Sequence, residues 1–321
     1  MKIAAVGAGR MGRGIALAFA YAGYEVVLVD LKPRGRGEWE KLREEAMAEM
    51  QASLAMLAEL GAMPADAVSR IMGRIAAVPA AGAGRLSEVE IIFEAVPETI
   101  EAKRDALARI CELAGPEAIL ASTTSTILVT DLAPLVTHSE RLLNAHWLNP
   151  AYLIPLVELS VHPGTAKPVV EKLRQLLEDA GKVPVLCGPT PGYIVPRLQA
   201  LVMNEAARMV EEGAASAEDI DKATRYGLGL RFAAIGVIEF IDYGGNDILY
   251  YASRYLAERV SAGRYAPPEI VQRLMREGHL GLKTGQGFYD YRNRDGRAYR
   301  KDVLARTLGG LRQAGLYRPP R

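Results

Sequence analysis

A glycine turn near the amino terminus is the feature that most constrains this chain. The turn at residues 7–12 has the spacing GxGxxG, and it follows an apolar segment at residues 2–6 that is typical of a buried strand. An apolar helical segment comes next at residues 15–21, and a second strand-like segment lies at residues 25–30. Strand, helix and strand within about 30 residues have the size of one parallel βαβ unit.

Each glycine of this turn has a structural reason in a dinucleotide site. Gly7 permits a tight turn, Gly9 lets the backbone approach a pyrophosphate, and Gly12 allows a helix to pack closely on a strand. The amino terminus of the helix, where Arg10 and Met11 lie, then faces the phosphates. The turn therefore predicts a dinucleotide cofactor.

Asp30 ends the second predicted strand, 18 residues after Gly12. An acid at this place accepts hydrogen bonds from the adenosine ribose and repels a 2′-phosphate, so it favours NAD over NADP. Basic residues just beyond Asp30 could soften that preference, and they are Lys32, Arg34 and Arg36.

Composition narrows the class of protein. The 321 residues carry a net charge of +1, which gives no reason to expect nucleic acid or an acidic membrane as a partner and leaves a small-molecule substrate. Cys111 and Cys187 are the two cysteines and form no CxxC motif, so we expect a reducing compartment and no metal site. The first residues lack the pattern of a signal peptide, and no apolar run is long enough to cross a bilayer. We therefore expect a cytoplasmic protein.

The order of the segments predicts a doubly wound α/β domain of the Rossmann type. Residues 38–59 and 65–72 are helical in composition, which predicts a helical hairpin inserted between strands. Strands and helices alternate after this hairpin. Strands are predicted at 91–95, 118–121 and 142–145, and helices at 100–113 and 129–135.

A segment rich in proline and glycine divides the chain. Residues 183–192 hold three prolines and two glycines, which is typical of a domain boundary. We therefore predict an NAD-binding domain at residues 1–187 and an all-helical domain at 188–321. Helices of the second domain are predicted at 194–212, 217–226, 234–260 and 267–277.

His146 and Glu158 are the candidates for acid–base chemistry. His146 follows a predicted strand, where open α/β sheets bind their ligands. Their spacing of twelve fits a strand, a turn and a returning strand, and Glu158 lies in an apolar run where a carboxylate needs a partner. An imidazole accepts a hydroxyl proton near neutral pH, and a carboxylate stabilises the imidazolium that forms. Together with a nicotinamide, this pair predicts the oxidation of an alcohol by hydride transfer.

Seven ordered motifs give the chain a resemblance to the 3-hydroxyacyl-CoA dehydrogenase family along nearly its whole length. They are residues 7–16, 94–98, 122–126, 146–150, 157–158, 191–195 and 281–291. The resemblance implies an NAD-binding α/β domain and a helical carboxyl-terminal domain that carries the interface of a homodimer.

The resemblance also implies roles for individual residues. His146 falls on the catalytic base of the family, and Glu158 falls on its paired carboxylate. Ser125 falls on a serine that contacts the substrate oxygen, and Asn149 on an asparagine near the nicotinamide. Two further positions fall on residues that line the nicotinamide half of the cofactor, namely Glu98 and Lys103.

The chain departs from the family pattern at two positions. Pro196 stands before Arg197 where the family has an asparagine that contributes to the active site. Thr123 stands where the family has an asparagine before the Thr-Ser pair. The first change affects a position that handles the substrate, and the second alters one polar contact near the cofactor.

Two substrate classes remain open. Acyl-CoA members of the family bind CoA at the inserted hairpin, where Lys41 and Arg43 could hold phosphates although five glutamates surround them. Residues 146–158 and 227–236 are closer to the lambda-crystallin and L-gulonate 3-dehydrogenase branch, which oxidises a free 3-hydroxy acid, and Arg231 is then a candidate carboxylate clamp. We expect NAD-dependent oxidation of a 3-hydroxyacyl-CoA, with the free acid as the alternative.

Two other classes of nucleotide-binding protein fit the sequence less well. The 6-phosphogluconate-type dehydrogenases use a catalytic lysine on the first interdomain helix, but no lysine lies between Lys182 and Lys222. A protein that binds NAD without catalysis is the remaining alternative, and it would have no need to keep His146 and Glu158 together.

Overall fold

Eight strands form the central sheet of the computed structural model, which describes residues 1–320. They are β1 (Lys2–Val6), β2 (Glu25–Val29), β3 (Ile75–Val78), β4 (Ile91–Glu94), β5 (Ile119–Ser122), β6 (Leu142–Trp147), β7 (Leu156–Ser160) and β8 (Val183–Cys187). Their order across the sheet is β3-β2-β1-β4-β5-β6-β7-β8. All neighbours are parallel except β6 and β7, which are antiparallel.

The order of the strands brings four sequence motifs to one edge of the sheet. Chain order reverses between β1 and β4, and such a switch point is where open α/β sheets bind ligands. Parallel strands end at a common edge, so the carboxyl ends of β1, β4, β5 and β6 lie side by side. Gly7, Glu94, Ser122 and His146 are at or next to these four ends.

Helices cover both faces of the sheet, as the predicted doubly wound fold requires. The helices up to residue 211 are α1 (Arg10–Tyr21), α2 (Arg36–Glu59), α3 (Ala67–Met72), α4 (Ile100–Leu113), α5 (Val129–Leu132), α6 (Lys167–Asp179) and α7 (Val195–Glu211). On one face Phe19, Phe93 and Trp147 pack edge to face or tilted in a buried cluster. On the other face Leu107 and Ile110 of α4 are fully buried. This burial on both faces explains the nearly continuous apolar strands.

The inserted hairpin is confirmed as α2 and α3, between β2 and β3. Ala46, Met50 and Leu54 are the buried residues of α2, and their spacing of four places them on one face of the helix. The other residues of α2 are largely exposed, which explains its many charges.

The sequence did not predict β3, α6 or the extent of β8. β8 occupies the first half of the segment that was interpreted only as a boundary. Pro184 is tolerated there because β8 is an edge strand with a single neighbour, β7, so that a missing N–H is not lost from the sheet.

The chain divides into two units, Met1–Met203 and the residues from Asn204 onward. The second unit is helical. Its helices are α8 (Ala217–Ala223), α9 (Leu230–Ala234), α10 (Val237–Gly244), α11 (Asn246–Arg259), α12 (Ala262–Tyr265), α13 (Glu269–Arg276) and α14 (Gly296–Gln313), with a π-helical turn at Thr224–Gly229. The domain boundary between residues 187 and 188 remains a prediction.

Two local features of the second unit refine the sequence interpretation. The helix predicted over 234–260 is wrong as one element, because Gly245 adopts a φ of +113° and separates α10 from α11. The motif at residues 281–291 wraps around a buried carboxylate, since Asp242 accepts hydrogen bonds from the backbone N–H groups of Phe288 (2.9 Å) and Tyr289 (2.8 Å). This contact gives the motif a structural role.

Candidate active site

The glycine turn opens a cleft at the carboxyl end of β1. A Cβ atom at Gly7 would lie 2.4 Å from the carbonyl oxygen of Ala95, and one at Gly12 would lie 1.8 Å from that of Gly7. Gly9, by contrast, has no atom within 4 Å of an added Cβ. The open side of Gly9 faces a cleft of about 480 Å³ that also borders Asp30. Close packing behind the turn and free space in front of it match what a pyrophosphate needs.

Asp30 lies in the same cleft, directly after β2. Its side chain is 8% exposed, and it accepts hydrogen bonds from the Lys32 backbone N–H (3.3 Å) and from Arg34 Nε (2.5 Å). One basic residue just beyond Asp30 is therefore an ion-pair partner of this carboxylate. The glycine turn, the start of α1 and Asp30 together fit NAD, with backbone N–H groups for the pyrophosphate and a carboxylate for the ribose.

His146 and Glu158 are cross-strand partners. The register of β6 and β7 places them directly opposite one another, and Nδ1 of His146 lies 2.8 Å from Oε2 of Glu158. Both are buried, His146 at 4% and Glu158 at 0% exposure. The sequence prediction that each is the other's partner is consistent with this contact.

The second oxygen of Glu158 binds the start of α7. Oε1 accepts hydrogen bonds from the backbone N–H groups of Ile194 (2.9 Å) and Val195 (2.8 Å). Burial works to raise the pKa of Glu158, but the hydrogen bond from His146 and the two backbone hydrogen bonds outweigh it, so that the pKa is lowered. Pro196, the second residue of α7, has no N–H to add. Glu158 is therefore held as a carboxylate.

A turn after β5 presents Ser125. This side chain is exposed, and the turn is fixed by Glu98, whose Oε1 accepts hydrogen bonds from the backbone N–H groups of Ser125 and Thr126 (each 2.9 Å). The register pairs Ser122 with Asn144, so the Ser125 turn leaves the sheet beside the end of β6 that carries His146. The substrate-contact candidate and the base candidate thus lie on adjacent strands.

Lys103 lies inside the protein. Its side chain is 0% exposed, and Nζ donates to both oxygens of Glu94 at 3.0 Å and lies 3.5 Å from Oε2 of Glu98. Ser122 completes this group with a hydrogen bond of 2.6 Å to Glu94. Glu94, at the end of β4, therefore binds both Lys103 of α4 and Ser122 at the end of β5. The assignment of Lys103 as a cofactor-lining residue remains a prediction.

The loop between β6 and β7 carries Asn149. Asn149 is exposed and lines a cavity of about 290 Å³ that reaches Met50 and Ser53 on α2. The buried Lys182 supports this loop, since Nζ donates to the carbonyl oxygens of Ala151 (2.7 Å) and Ile154 (3.0 Å). The cavity joins the surroundings of Asn149 to the inserted hairpin.

Comparison with known families shows the family of this chain. The model described as "3-hydroxyacyl-CoA dehydrogenase, NAD binding domain" matches residues 2–190, and "3-hydroxyacyl-CoA dehydrogenase, C-terminal domain" matches residues 192–291. The chain belongs to the 3-hydroxyacyl-CoA dehydrogenase family. It is an NAD-dependent oxidoreductase of the 3-hydroxyacyl-CoA dehydrogenase type, and its cofactor is NAD.

Relatives of this family member include several enzymes. It is 32% identical over 291 residues to a 3-hydroxybutyryl-CoA dehydrogenase of Bradyrhizobium diazoefficiens, covering 91% of this chain and 95% of that protein. It is 37% identical over 254 residues to the lambda-crystallin homolog of Bos taurus, covering 79% and 77%. A solved 3-hydroxyacyl-CoA dehydrogenase of Archaeoglobus fulgidus aligns with a TM-score of 0.77 at 33% identity, over 99% of this chain and 100% of that one. The 3-hydroxyadipyl-CoA dehydrogenase of Escherichia coli is longer: the match, 32% identical over 295 residues, covers 90% of this chain and 59% of that protein.

The three substrate candidates of this dehydrogenase are exposed side chains. Lys41 and Arg43 are exposed on α2 in the first unit. Arg231 is exposed on α9 in the second unit, with its guanidinium 4.9 Å from the ring centre of Phe240.

Over residues 1–320, no helix is both long and apolar enough to span a membrane.

Sequence reasoning missed Tyr193, which completes the buried group. Its ring stacks on the imidazole of His146, and its hydroxyl bonds Asn144 and the carbonyl oxygen of Thr124. The signal was present in the motif at residues 191–195, where this chain has tyrosine and the family pattern has phenylalanine.

Proposed function

We propose that this protein oxidises the 3-hydroxyl group of a 3-hydroxyacyl-CoA to the ketone, reversibly and with NAD. The observation that carries the proposal is the buried contact of 2.8 Å between His146 and Glu158, at the sheet edge that also bears the glycine turn. A non-catalytic NAD-binding protein has no use for such a pair, because burying a carboxylate is costly unless it is bonded.

His146 acts as the general base in this proposal. Glu158 is ionised and accepts a hydrogen bond from Nδ1, which leaves the lone pair of Nε2 for the substrate hydroxyl. Nε2 takes the hydroxyl proton, and Glu158 stabilises the imidazolium that results. Bound NAD supplies the acceptor for the hydride that leaves the same carbon.

Ser125 and Asn149 orient the substrate in this proposal. The Ser125 hydroxyl is exposed on a turn that Glu98 fixes, so that it can donate a hydrogen bond to the substrate oxygen. Asn149 borders the cavity that leads to α2. Hydrogen-bond donors that are already positioned lower the entropic cost of reaching the reactive geometry.

The inserted hairpin supports a CoA ester as substrate. The cavity between Asn149 and α2 gives a path along which the thioester arm could extend, and α2 offers Lys41 and Arg43 as exposed cations for phosphates. The glutamates of α2 oppose such binding in part, since Lys41 lies 4.0 Å from Glu45.

A free 3-hydroxy acid is the second candidate. Arg231 favours it, because its guanidinium is exposed, stacks on Phe240 and forms no salt bridge within the described residues 1–320. A guanidinium presents two parallel donors that match a carboxylate.

We also propose a homodimer formed through the second unit. Ile248, Tyr251 and Tyr255 of α11 are each 60% or more exposed and have helical spacing, so they form one apolar stripe on the surface. Large exposed apolar patches mark interaction surfaces. Light scattering coupled to size exclusion, on wild type and on Tyr251→Glu, tests this, and a monomeric wild type would contradict it.

The substrate proposal is tested by mixing the protein and NAD with 3-hydroxybutyryl-CoA, and separately with free 3-hydroxybutyrate or L-gulonate. We expect NADH absorbance to rise with the CoA ester. NADH formation from a free acid alone would refute the CoA assignment, and none with any 3-hydroxy compound would refute the dehydrogenase proposal.

A further inference from the structure

Tyr193 has a backbone conformation that bulky residues rarely adopt. Its φ is +45°, in the left-handed region, and its side chain is buried with 5% of the residue exposed. A conformation of this kind persists only where the surrounding contacts determine it. Tyr193 has three sets of such contacts.

The ring of Tyr193 covers one face of the His146 imidazole. The two ring centres are 4.8 Å apart and the planes differ by 11°. Stacking fixes the plane of the imidazole but leaves both nitrogens free at its edge. Nδ1 can therefore bind Glu158 while Nε2 stays available.

The hydroxyl of Tyr193 connects the turn after β5 to the middle of β6. It donates to the carbonyl oxygen of Thr124 at 2.8 Å and accepts from Nδ2 of Asn144 at 3.0 Å. Thr124 directly precedes Ser125, and Asn144 lies two residues before His146 on the same side of β6. Burial raises the pKa of the Tyr193 hydroxyl, so the group stays protonated and can donate.

The backbone after Tyr193 binds the carboxylate of the pair. Ile194 and Val195, the next two residues, donate their N–H groups to Glu158. One residue therefore adjoins the base, the carboxylate and the Ser125 turn at once.

We infer that Tyr193 is a positioning residue for the dehydrogenase reaction. Its ring sets the plane of His146, and its hydroxyl holds the Ser125 turn in place relative to β6. The inference rests on the proposed function, in which His146 and Ser125 act on the same substrate oxygen. Tyr193 itself acts through these two groups.

Tyr193→Phe tests the contribution of the hydroxyl separately from that of the ring. It removes both hydrogen bonds and keeps the stacked surface, so we expect kcat to fall by about five- to twentyfold, the effect of one or two neutral hydrogen bonds, while the Kd for NADH is unchanged. Tyr193→Leu also removes the stacking and should lower kcat further.

Thr165→Val is the matched control. The Thr165 hydroxyl donates to the carbonyl oxygen of Leu142 at 2.9 Å, at the opposite end of β6 from His146. The same hydroxyl accepts from the backbone N–H of His162 at 3.2 Å, so Thr165→Val removes two hydrogen bonds, as Tyr193→Phe does. It should therefore lower Tm to a similar degree and leave kcat unchanged.

Amide hydrogen exchange gives a readout that needs no substrate. The N–H groups of Ser125 and Thr126 donate to Glu98, and the turn is also held by the Tyr193 hydroxyl through Thr124. Both N–H groups should exchange about tenfold faster in Tyr193→Phe than in wild type, because the turn then keeps only the contact with Glu98. In Thr165→Val they should exchange at the wild-type rate.

The outcomes test the positioning role of Tyr193 and the proposed function separately. If Tyr193→Phe keeps the wild-type kcat and the wild-type exchange rates, the positioning role is overturned. The role is also overturned if Thr165→Val, at the same Tm as Tyr193→Phe, loses as much kcat. If wild type oxidises no 3-hydroxy compound, the proposed function fails, and the exchange rates alone decide whether Tyr193 tethers the turn.

Discussion

Nδ1 of His146 lies 2.8 Å from Oε2 of Glu158 because the two residues are opposite each other across β6 and β7. This antiparallel pair is the exception in a sheet whose other neighbours run parallel. A parallel crossover would have needed a helix between the two strands. The short return at residues 148–155 instead brings the imidazole and the carboxylate together at one edge.

Loss of the base should abolish most turnover. We expect His146→Ala to lower kcat by about two to four orders of magnitude, since the proton acceptor is removed, while NADH still binds. Glu158→Gln should also be slow because the imidazolium loses its stabilising charge. Steady-state rates and NADH fluorescence titration measure both effects.

His162→Gln provides the control for that experiment. His162 is buried and bonds the carbonyl oxygen of Ser139 through Nε2 at 2.8 Å, beyond the end of β7. Its replacement should leave kcat near the wild-type value. A near-normal kcat in His146→Ala would show that another group takes the proton.

Cofactor preference should depend on Asp30. Wild type should use NAD at least about tenfold better than NADP in kcat/KM, since the carboxylate repels a 2′-phosphate, and about tenfold corresponds to 1.4 kcal/mol. Asp30→Ser should narrow the ratio of kcat/KM with NAD to kcat/KM with NADP for two reasons. It removes the carboxylate that repels the 2′-phosphate, and it frees Arg34 from its ion pair. Equal use of both cofactors by wild type would contradict the role of Asp30.

Lowering the pH should remove part of the free energy of unfolding that Glu158 contributes. Its pKa is lowered in the folded state, so the stabilisation is complete above the pKa of the unfolded chain and is lost as pH falls through the folded value. We expect the advantage of wild type over Glu158→Gln in free energy of unfolding to be full above about pH 5 and to shrink below about pH 4. Urea denaturation at several pH values measures this difference in free energy of unfolding. Glu45→Gln is the control, because Glu45 is exposed. An advantage that grows on acidification would contradict the prediction.

Breaking the buried ion pair of Lys103 should cost stability. Lys103→Met leaves the Glu94 carboxylate buried without its cation, so we expect a loss of about 3–5 kcal/mol in free energy of unfolding. The double variant Glu94→Gln with Lys103→Met removes both charges and should be less destabilised than the single one. If the double variant were the worse of the two, the pair would not be the source of the effect.

The hairpin cations distinguish the two substrate classes. If a CoA ester is the substrate, Lys41→Ala combined with Arg43→Ala should raise KM by about tenfold and spare kcat, and added salt should act in the same direction because the contacts are exposed. Arg36→Ala on the same helix is the control, since Arg36 already pairs with Glu40 at 2.8 Å. If the substrate is a free acid, Arg231→Lys should raise KM instead.

Much of this fold was predictable from local sequence. The strand before Gly7, the helix after Gly12 and the hairpin of α2 and α3 follow from apolar periodicity and from glycine positions, which act within a few residues. β8 was not recognised, because Pro184 is unfavourable in a strand unless that strand lies at an edge. Only the strand order shows that β8 is such an edge.

The sequence by itself determined that His146 and Glu158 belong together, because a carboxylate in an apolar run needs a partner and a twelve-residue return supplies one. The tertiary structure alone decided what surrounds them. Tyr193 follows Thr124 by 69 residues, and Ile194 follows Glu158 by 36, yet each pair is in contact. Such contacts depend on the register of β5, β6 and β7. A shift of one residue in that register would turn the side chains of these strands, Glu158 among them, to the opposite face of the sheet. Local sequence does not encode that register, since it is set by the packing of the whole sheet.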